Sequence, residues 1–221
     1  MNEQKQEEPK SRKLRYVAGM LGIVIVAAIA INLVQPYGQV ISRRSTNQQR
    51  ATQTNLSAER KWAERLELPG VPNLHRVSED LYRGAQPTAE GMQQLEKLGI
   101  KTVINLRAFH SDRDETTGTN LSYEHINMTT WHPENDEVIR FLQIVIDKSR
   151  TPVFVHCQRG ADRTGIMCAI YRIAVQGWSK SEAVEEMTKG GFGFYEGWQN
   201  LVDYIQNLDI EQIKRRLAAN Q

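Results

Sequence analysis

The sequence predicts an α/β domain with a small, mainly parallel sheet flanked by helices on both faces, preceded by one N-terminal transmembrane helix. Three observations carry this. From about residue 58 onward, short β-rich runs alternate with stretches of helical periodicity, the order that folds as a parallel sheet with crossover helices. Pro152-Val153-Phe154-Val155-His156 is apolar on successive residues, as a strand covered on both faces must be. Val17 to Val34 is nearly all apolar and lies within a charge-free stretch between Arg15 and Arg43. At about 1.5 Å per residue it is long enough to cross a hydrocarbon layer of roughly 30 Å.

Along the chain, residues 1–15 read as a basic tail, 16–36 as the transmembrane helix, 37–57 as a flexible polar linker, and 58–221 as the folded domain. The apolar run exceeds a signal-peptide core, although Ala28-Ile29-Ala30 resembles a cleavage site. Lys10, Arg12, Lys13 and Arg15 lie closer to the span than Arg43, Arg44 and Arg50. That asymmetry places the N-terminus in the cytoplasm and the domain outside it.

Within the domain, a short helical piece with Trp62 and Leu66 comes first. Leu74 to Val77 and Leu81 to Arg83 read as strands around a Ser78-Glu79-Asp80 turn. Pro87 and Thr88 open a helix that Gly99 closes, with Met92, Leu95 and Leu98 on one face. Thr102 to Leu106 is β-rich, and Ser122 to Met128 more weakly so. Glu134 to Ile146 is an amphipathic helix through Val138, Phe141, Leu142 and Val145. After the Pro152–His156 strand, Gly165 to Gln176 reads as a buried helix stopped by Gly177. Ser179 and Glu182 form a capping-box pair, Gly190-Gly191 ends that helix, and Trp198 to Leu217 supplies one or two more. The resulting order, β-α-β-β-α-β-loop-α-α-α, directs attention to the carboxyl end of the strand at Val155, where such sheets bind ligands.

Composition narrows the chemistry. The 221 residues carry 28 basic and 26 acidic side chains, a net charge of +2, so no nucleic-acid partner is expected. Two cysteines, Cys157 and Cys168, are too few for a disulfide framework. His75, His110 and His125 make no metal-ligand spacing, so neither a metal nor another cofactor is expected.

The segment after Val155 reads His156-Cys157-Gln158-Arg159-Gly160-Ala161-Asp162-Arg163-Thr164-Gly165. A short loop feeding a helix N-terminus turns several backbone N–H groups inward and, with the helix dipole, cradles a tetrahedral dianion. Gly160 allows the backbone angles this needs, and Gln158, Arg159, Gly160 and Ala161 form the cradle. Arg163 has the fork geometry to hold two phosphate oxygens as charge spreads over them. The same positive field favours the thiolate of Cys157, the nucleophile that attacks phosphorus. Thr164 is placed to donate its hydroxyl to that sulfur when it leaves. Cys168 is explained as a small core residue.

His156-Cys157-x-x-Gly160-x-x-Arg163-Thr164-Gly165 resembles the signature of the cysteine-based protein tyrosine phosphatase superfamily. The segments Tyr82-Arg83-Gly84-Ala85-Gln86-Pro87 and Val103-Ile104-Asn105-Leu106-Arg107 are similar to its bacterial dual-specificity-like members. The resemblance covers about residues 70–205. It implies Cys157 as nucleophile, Arg163 as phosphate clamp and His156 as a neighbour that tunes the thiol. It also implies hydrolysis of phosphomonoesters on phosphotyrosine or phosphoserine/threonine proteins, or on phosphoinositides and inositol phosphates. Rhodanese-like sulfurtransferases share a cysteine in such a loop, but a shorter one.

The family usually supplies its general acid as an aspartate after the preceding strand. Here Asn127 to Thr129 hold no carboxylate, a departure from the pattern. Glu134 and Asp136 follow shortly after, but also suit the first turn of a helix. Asp162, inside the loop, is the preferred acid, and the Cys-x-x-Gly-x-Asp-Arg pattern resembles loops of myotubularin-like and Sac-like lipid phosphatases. The competing role for Asp162 is an ion pair with Arg163 or Arg159 that only shapes the loop. Without an efficient acid, the alternative is a phosphate-binding interaction module that captures phosphorylated partners and turns over poorly.

Overall fold

The computed structural model describes residues 61–219, so the tail, the transmembrane helix expected at 16–36 and the expected linker lie outside the described residues. Among the described residues, no helix is long and apolar enough to cross a membrane. The elements are β1 (Glu64–Arg65), β2 (His75–Arg76), β3 (Leu81–Gly84), α1 (Ala89–Lys97), β4 (Thr102–Arg107), β5 (Ser122–Met128), α2 (Asn135–Ile146), β6 (Val153–His156), α3 (Asp162–Ala174), α4 (Lys180–Lys189), α5 (Gln199–Asn207) and α6 (Ile210–Ala219).

The six strands form one sheet in the order β1-β2-β3-β6-β4-β5. β1, β2 and β3 pair antiparallel, whereas β3, β6, β4 and β5 run parallel. The hairpin between β2 and β3 is tight because Val77 and Ser78 both donate their N–H to Leu81 O, at 2.9 and 3.0 Å. β6 sits between β3 and β4, with His156 opposite Gly84 on one side and Asn105 on the other. That placement explains why Val153, Phe154, Val155 and His156 are all buried. It also sets the segment after β6 between the carboxyl ends of its two neighbours.

Helices cover both faces. On one, Met92 and Leu95 of α1 pack with Leu74, Val103 and Phe154. On the other, Phe141 and Leu142 of α2, Ile166 and Ile170 of α3, Leu201 of α5 and Ile213 of α6 pack with Leu81, Ile104, Val153 and Val155. Alternate residues of each strand therefore feed two separate apolar layers. Thr88 caps α1 by accepting from Gly91 N at 3.1 Å, and Ser179 caps α4 in a capping box with Glu182. A buried ion pair joins α3 to α4: Arg172 Nε and Nη2 donate to Glu186 Oε2 and Oε1 at 2.7 and 2.6 Å. The same arginine also reaches Val77 O. Further hydrogen bonds of this kind are what make a buried pair tolerable.

Three expectations are corrected. The piece with Trp62 and Leu66 is not helical: Glu64–Arg65 pairs with β2 as an edge strand, and Leu66 N donates to Leu74 O at 3.0 Å. Leu98 is 41% exposed, because α1 ends there and it serves as the C-cap rather than as a core residue. The buried helix begins at Asp162 and not at Gly165. Gly165 N already donates to Ala161 O at 2.8 Å, so Asp162, Arg163 and Thr164 form its first turn.

Candidate active site

Cys157 follows directly on the central strand β6 and is 3% exposed. From there to α3 the backbone is held from outside by residues distant in sequence. Gln158 O accepts from Gln86 N at 3.3 Å. Arg159 O accepts from Asn73 Nδ2 at 3.0 Å. Gly160 O and Ala161 O both accept from Arg83 Nη2, at 2.7 and 3.4 Å. In a trans peptide the carbonyl of one residue and the N–H of the next point in opposite directions. Four consecutive carbonyls drawn outward therefore turn the N–H groups of Arg159, Gly160, Ala161 and Asp162 to the inner side of the loop. The N-terminus of α3, where Ala161 provides no side-chain cap, adds its positive dipole end. Inward N–H groups at a helix N-terminus are the arrangement that a main-chain anion cradle requires.

Arg83, which holds two of those carbonyls, is 1% exposed and lies with its guanidinium carbon 3.7 Å from the centre of the Phe192 ring. Gly160 has φ +71° and abuts β3: a Cβ there would lie 2.3 Å from Gly84 O and 2.6 Å from Ala85 N. Both are backbone atoms and cannot move aside. Gly160→Ala is therefore expected to displace the loop and lower kcat/KM at least about tenfold, since a misplacement of 1 Å can cost 10²-fold. Steady-state kinetics on an aryl phosphate checks this, and unchanged kinetics would mean that the loop does not depend on this contact.

Arg163 enters from the first turn of α3, half-buried, and donates Nη1 to Leu106 O at the end of β4, at 3.4 Å. Thr164 is fully buried, with an Oγ1 that makes no hydrogen bond. Asp162 is tied on both oxygens. Oδ2 accepts from Arg159 Nη2 and Oδ1 accepts from the Tyr195 N–H, both at 2.9 Å. Gln158 and Arg159 are exposed at the mouth of the loop, and Ala161 is buried beneath it.

The two later carboxylates sit elsewhere. Glu134 is the N-cap of α2, its N–H donating to Glu137 Oε2 at 2.9 Å. Asp136 pairs with Arg216 of α6 at 2.8 Å. Both serve the helix terminus. Cys168, on α3, is buried, and burial pushes its thiol up to about 11. It takes the core role expected of it.

Sequence reasoning did not single out the residues that hold this loop. Arg83, Asn73 and Gln86 carry no local signal beyond the Tyr82–Pro87 segment. Asp112 was missed as well. It is fully buried, and its Oδ2 lies 2.7 Å from Nε2 of His156, whose Nδ1 lies 3.2 Å from Cys157 O. Its Oδ1 accepts from Gln86 Nε2 at 2.6 Å. Burial acts to raise the Asp112 pKa, but His156, Gln86 and His110 outweigh it and hold the carboxyl below the usual range. Among the described residues, His110, Asp112 and Glu115 cluster, with one ligand atom from each within 4.8 Å of the others, a grouping that the histidine positions alone do not indicate.

Several known proteins resemble this chain. The family described as "DSP-PTPase phosphatase fused to NAD+ Kinase" matches residues 71–197. The dual specificity protein phosphatase TpbA of Pseudomonas aeruginosa strain UCBPP-PA14 is 33% identical over 171 residues, covering 76% of each chain. The inositol diphosphatase DSP5 of Arabidopsis thaliana is 28% identical over 155 residues, covering 66% of this chain and 74% of that one. A crystal structure of a P. aeruginosa TpbA variant in complex with pTyr superposes with a TM-score of 0.65 at 30% identity, covering 72% of this chain and 98% of that chain.

Proposed function

We infer the reaction from one premise: this chain belongs to the DSP-PTPase family of cysteine-dependent, dual-specificity-like phosphatases. It is an enzyme that hydrolyses phosphoesters on phosphoproteins or inositol phosphates. The observation that carries the mechanism is the loop in which four carbonyls are drawn outward around Cys157 and Arg163. The inward N–H groups and Arg163 bind the three terminal phosphate oxygens. The Cys157 thiolate attacks phosphorus, the P–O bond to the leaving group breaks, and the departing oxygen takes a proton. Water then attacks the cysteinyl phosphate, releasing inorganic phosphate and restoring the thiolate, with the Thr164 hydroxyl donating to sulfur as it leaves. Arg163 stabilises the charge on the equatorial oxygens in both steps. No step uses a cofactor.

Asp162 is the proton donor in this reading. The two contacts that Asp162 makes, with Arg159 and with the Tyr195 N–H, favour a second reading in which it only braces the loop. Aryl phosphates of graded leaving-group ability separate the two. If Asp162 is the acid, Asp162→Asn lowers turnover about 10²-fold for a poor leaving group and little for a good one. An equal loss on both assigns it the bracing role.

The substrate class follows the relatives, one named for phosphoprotein and one for inositol diphosphate hydrolysis. Arg159, exposed at the loop mouth, supplies a positive charge suited to substrates carrying further phosphates. The names of the relatives support turnover rather than capture. Residues 16–36 anchor the domain, residues 58–221, to a membrane, and the flanking basic residues put the N-terminus in the cytoplasm. The support for this is the uncharged run from Val17 to Val34. A reporter fused after Gln221 tests the orientation: activity confined to the cytoplasm contradicts it.

A further inference from the structure

The segment between β4 and β5 gathers three ligand-type side chains that the phosphatase reaction does not use. His110, Asp112 and Glu115 follow the spacing His-x-Asp-x-x-Glu on a turn closed by Thr116 N donating to Asp112 O at 3.0 Å. The two sheet strands hold that turn in place. Asn105 Nδ2 of β4 donates to His110 O at 2.7 Å, and the Asp112 N–H donates to Tyr123 Oη of β5 at 3.1 Å. His110 Nε2 lies 3.4 Å from Asp112 Oδ1 and 3.7 Å from Glu115 Oε1. Ligand bonds of about 2.0–2.1 Å in a tetrahedron separate the donor atoms by about 3.3–3.4 Å, so the His110–Asp112 separation matches an edge of a zinc coordination sphere and the His110–Glu115 separation is slightly longer.

The pattern of unmet hydrogen bonds points the same way. Among the described residues, six buried side-chain polar atoms make no hydrogen bond, and four of them are His110 Nε2, Asp112 Oδ2, Glu115 Oε2 and His156 Nε2. His156 is fully buried, comes from β6 and faces the cluster, its Nε2 ion-paired with Asp112 Oδ2 at 2.7 Å. Native proteins rarely leave buried polar atoms without a hydrogen bond, and a bound ion is one recognised explanation for those of His110 and Glu115.

We propose that His110, Asp112 and Glu115 form a binding site for a divalent cation of the zinc class. Imidazole nitrogen with two carboxylates suits zinc, whereas calcium and magnesium call for six or more oxygen ligands. The surroundings that orient such ligands are present. Gln86 Nε2 donates to Asp112 Oδ1 at 2.6 Å, and His156 faces the other oxygen of the same carboxylate. Three protein ligands leave the fourth position to water. The ion would fasten the 110–115 turn against His156, the neighbour of Cys157, and so connect metal supply to the shape of the catalytic strand's end. The site is joined to the phosphate cradle through Gln86, whose Nε2 donates to Asp112 Oδ1 and whose N–H donates to Gln158 O, but it carries no step of the hydrolysis.

The test is zinc competition against a chromophoric chelator, using the full chain without a histidine tag and carrying Cys157→Ser so that the nucleophilic thiol takes no part. One zinc per chain is expected, bound at least about tenfold more weakly in His110→Ala and in Glu115→Gln. Zinc should raise the Tm of the parent and leave that of a folded His110→Ala variant unchanged. A folded parent that takes up no zinc, or binding that neither substitution weakens, overturns the proposal.

Discussion

Replacing Cys157 with serine is expected to abolish turnover of good and poor leaving groups alike, with a loss of about 10⁴-fold or more in kcat. The reason is chemical. A serine hydroxyl at this position has no adjacent base to ionise it, whereas a thiol gives a far better nucleophile in the field of the loop and the α3 N-terminus. The substitution barely changes volume, so a folded protein that still binds phosphate is expected. Cys168 offers no bypass, since it is buried in the core and its thiol is pushed up to about 11. Kinetics of the purified variant, with a melting curve to establish folding, checks this. Residual turnover within tenfold of the parent would remove Cys157 from the reaction.

Arg163→Lys is expected to cost about 10³-fold in kcat/KM while keeping the charge, because a lysine ammonium cannot reproduce the planar two-oxygen grip. The arginine is also positioned by its bond to Leu106 O at the end of β4, which a shorter donor would have to abandon or keep at the expense of the phosphate. The comparison of interest is with vanadate or phosphate as a competitive inhibitor. Affinity for the inhibitor should fall less than kcat/KM, since Arg163 acts most strongly where charge develops. Equal losses would make Arg163 a binding residue without a special part in the transition state.

The part of this site that could be read from sequence is the part that is contiguous. An apolar strand, a cysteine, a glycine and an arginine at fixed offsets, and an apolar helix all fall between Pro152 and Gln176, so each local preference reports on the same loop. The supports of that loop could not be read in this way. Arg83 and Asn73 are 77 and 86 residues away from the carbonyls they hold, and although Arg83 lies in the family-like Tyr82–Pro87 segment, nothing local to either residue reveals which backbone it holds. Asp112 was hidden for the same reason. Its burial beside His156 depends on β4 and β6 lying next to each other, which a single sequence does not reveal. Neither histidine nor cysteine spacing marks His110 as a ligand, because its partners are carboxylates.

Errors in the elements have equally local causes. β1 has only two residues, too few for an alternating pattern, and Trp62 with Leu66 happens to match helical spacing. Periodicity places the start of α3 too late because Asp162, Arg163 and Thr164 are polar, and the apolar pattern that marks a helix begins only at Ile166. Leu98 completes an apolar stripe by spacing, but α1 stops one residue earlier and leaves it facing water.

The central claim is a covalent phosphoenzyme on Cys157. Its most direct test is rapid acid quenching of the full chain during turnover of an aryl phosphate, followed by peptide mass spectrometry. The account predicts one added phosphoryl group on the peptide containing Cys157, absent in Cys157→Ser. Turnover that proceeds with no adduct on that peptide, or with the adduct on another residue, would contradict it.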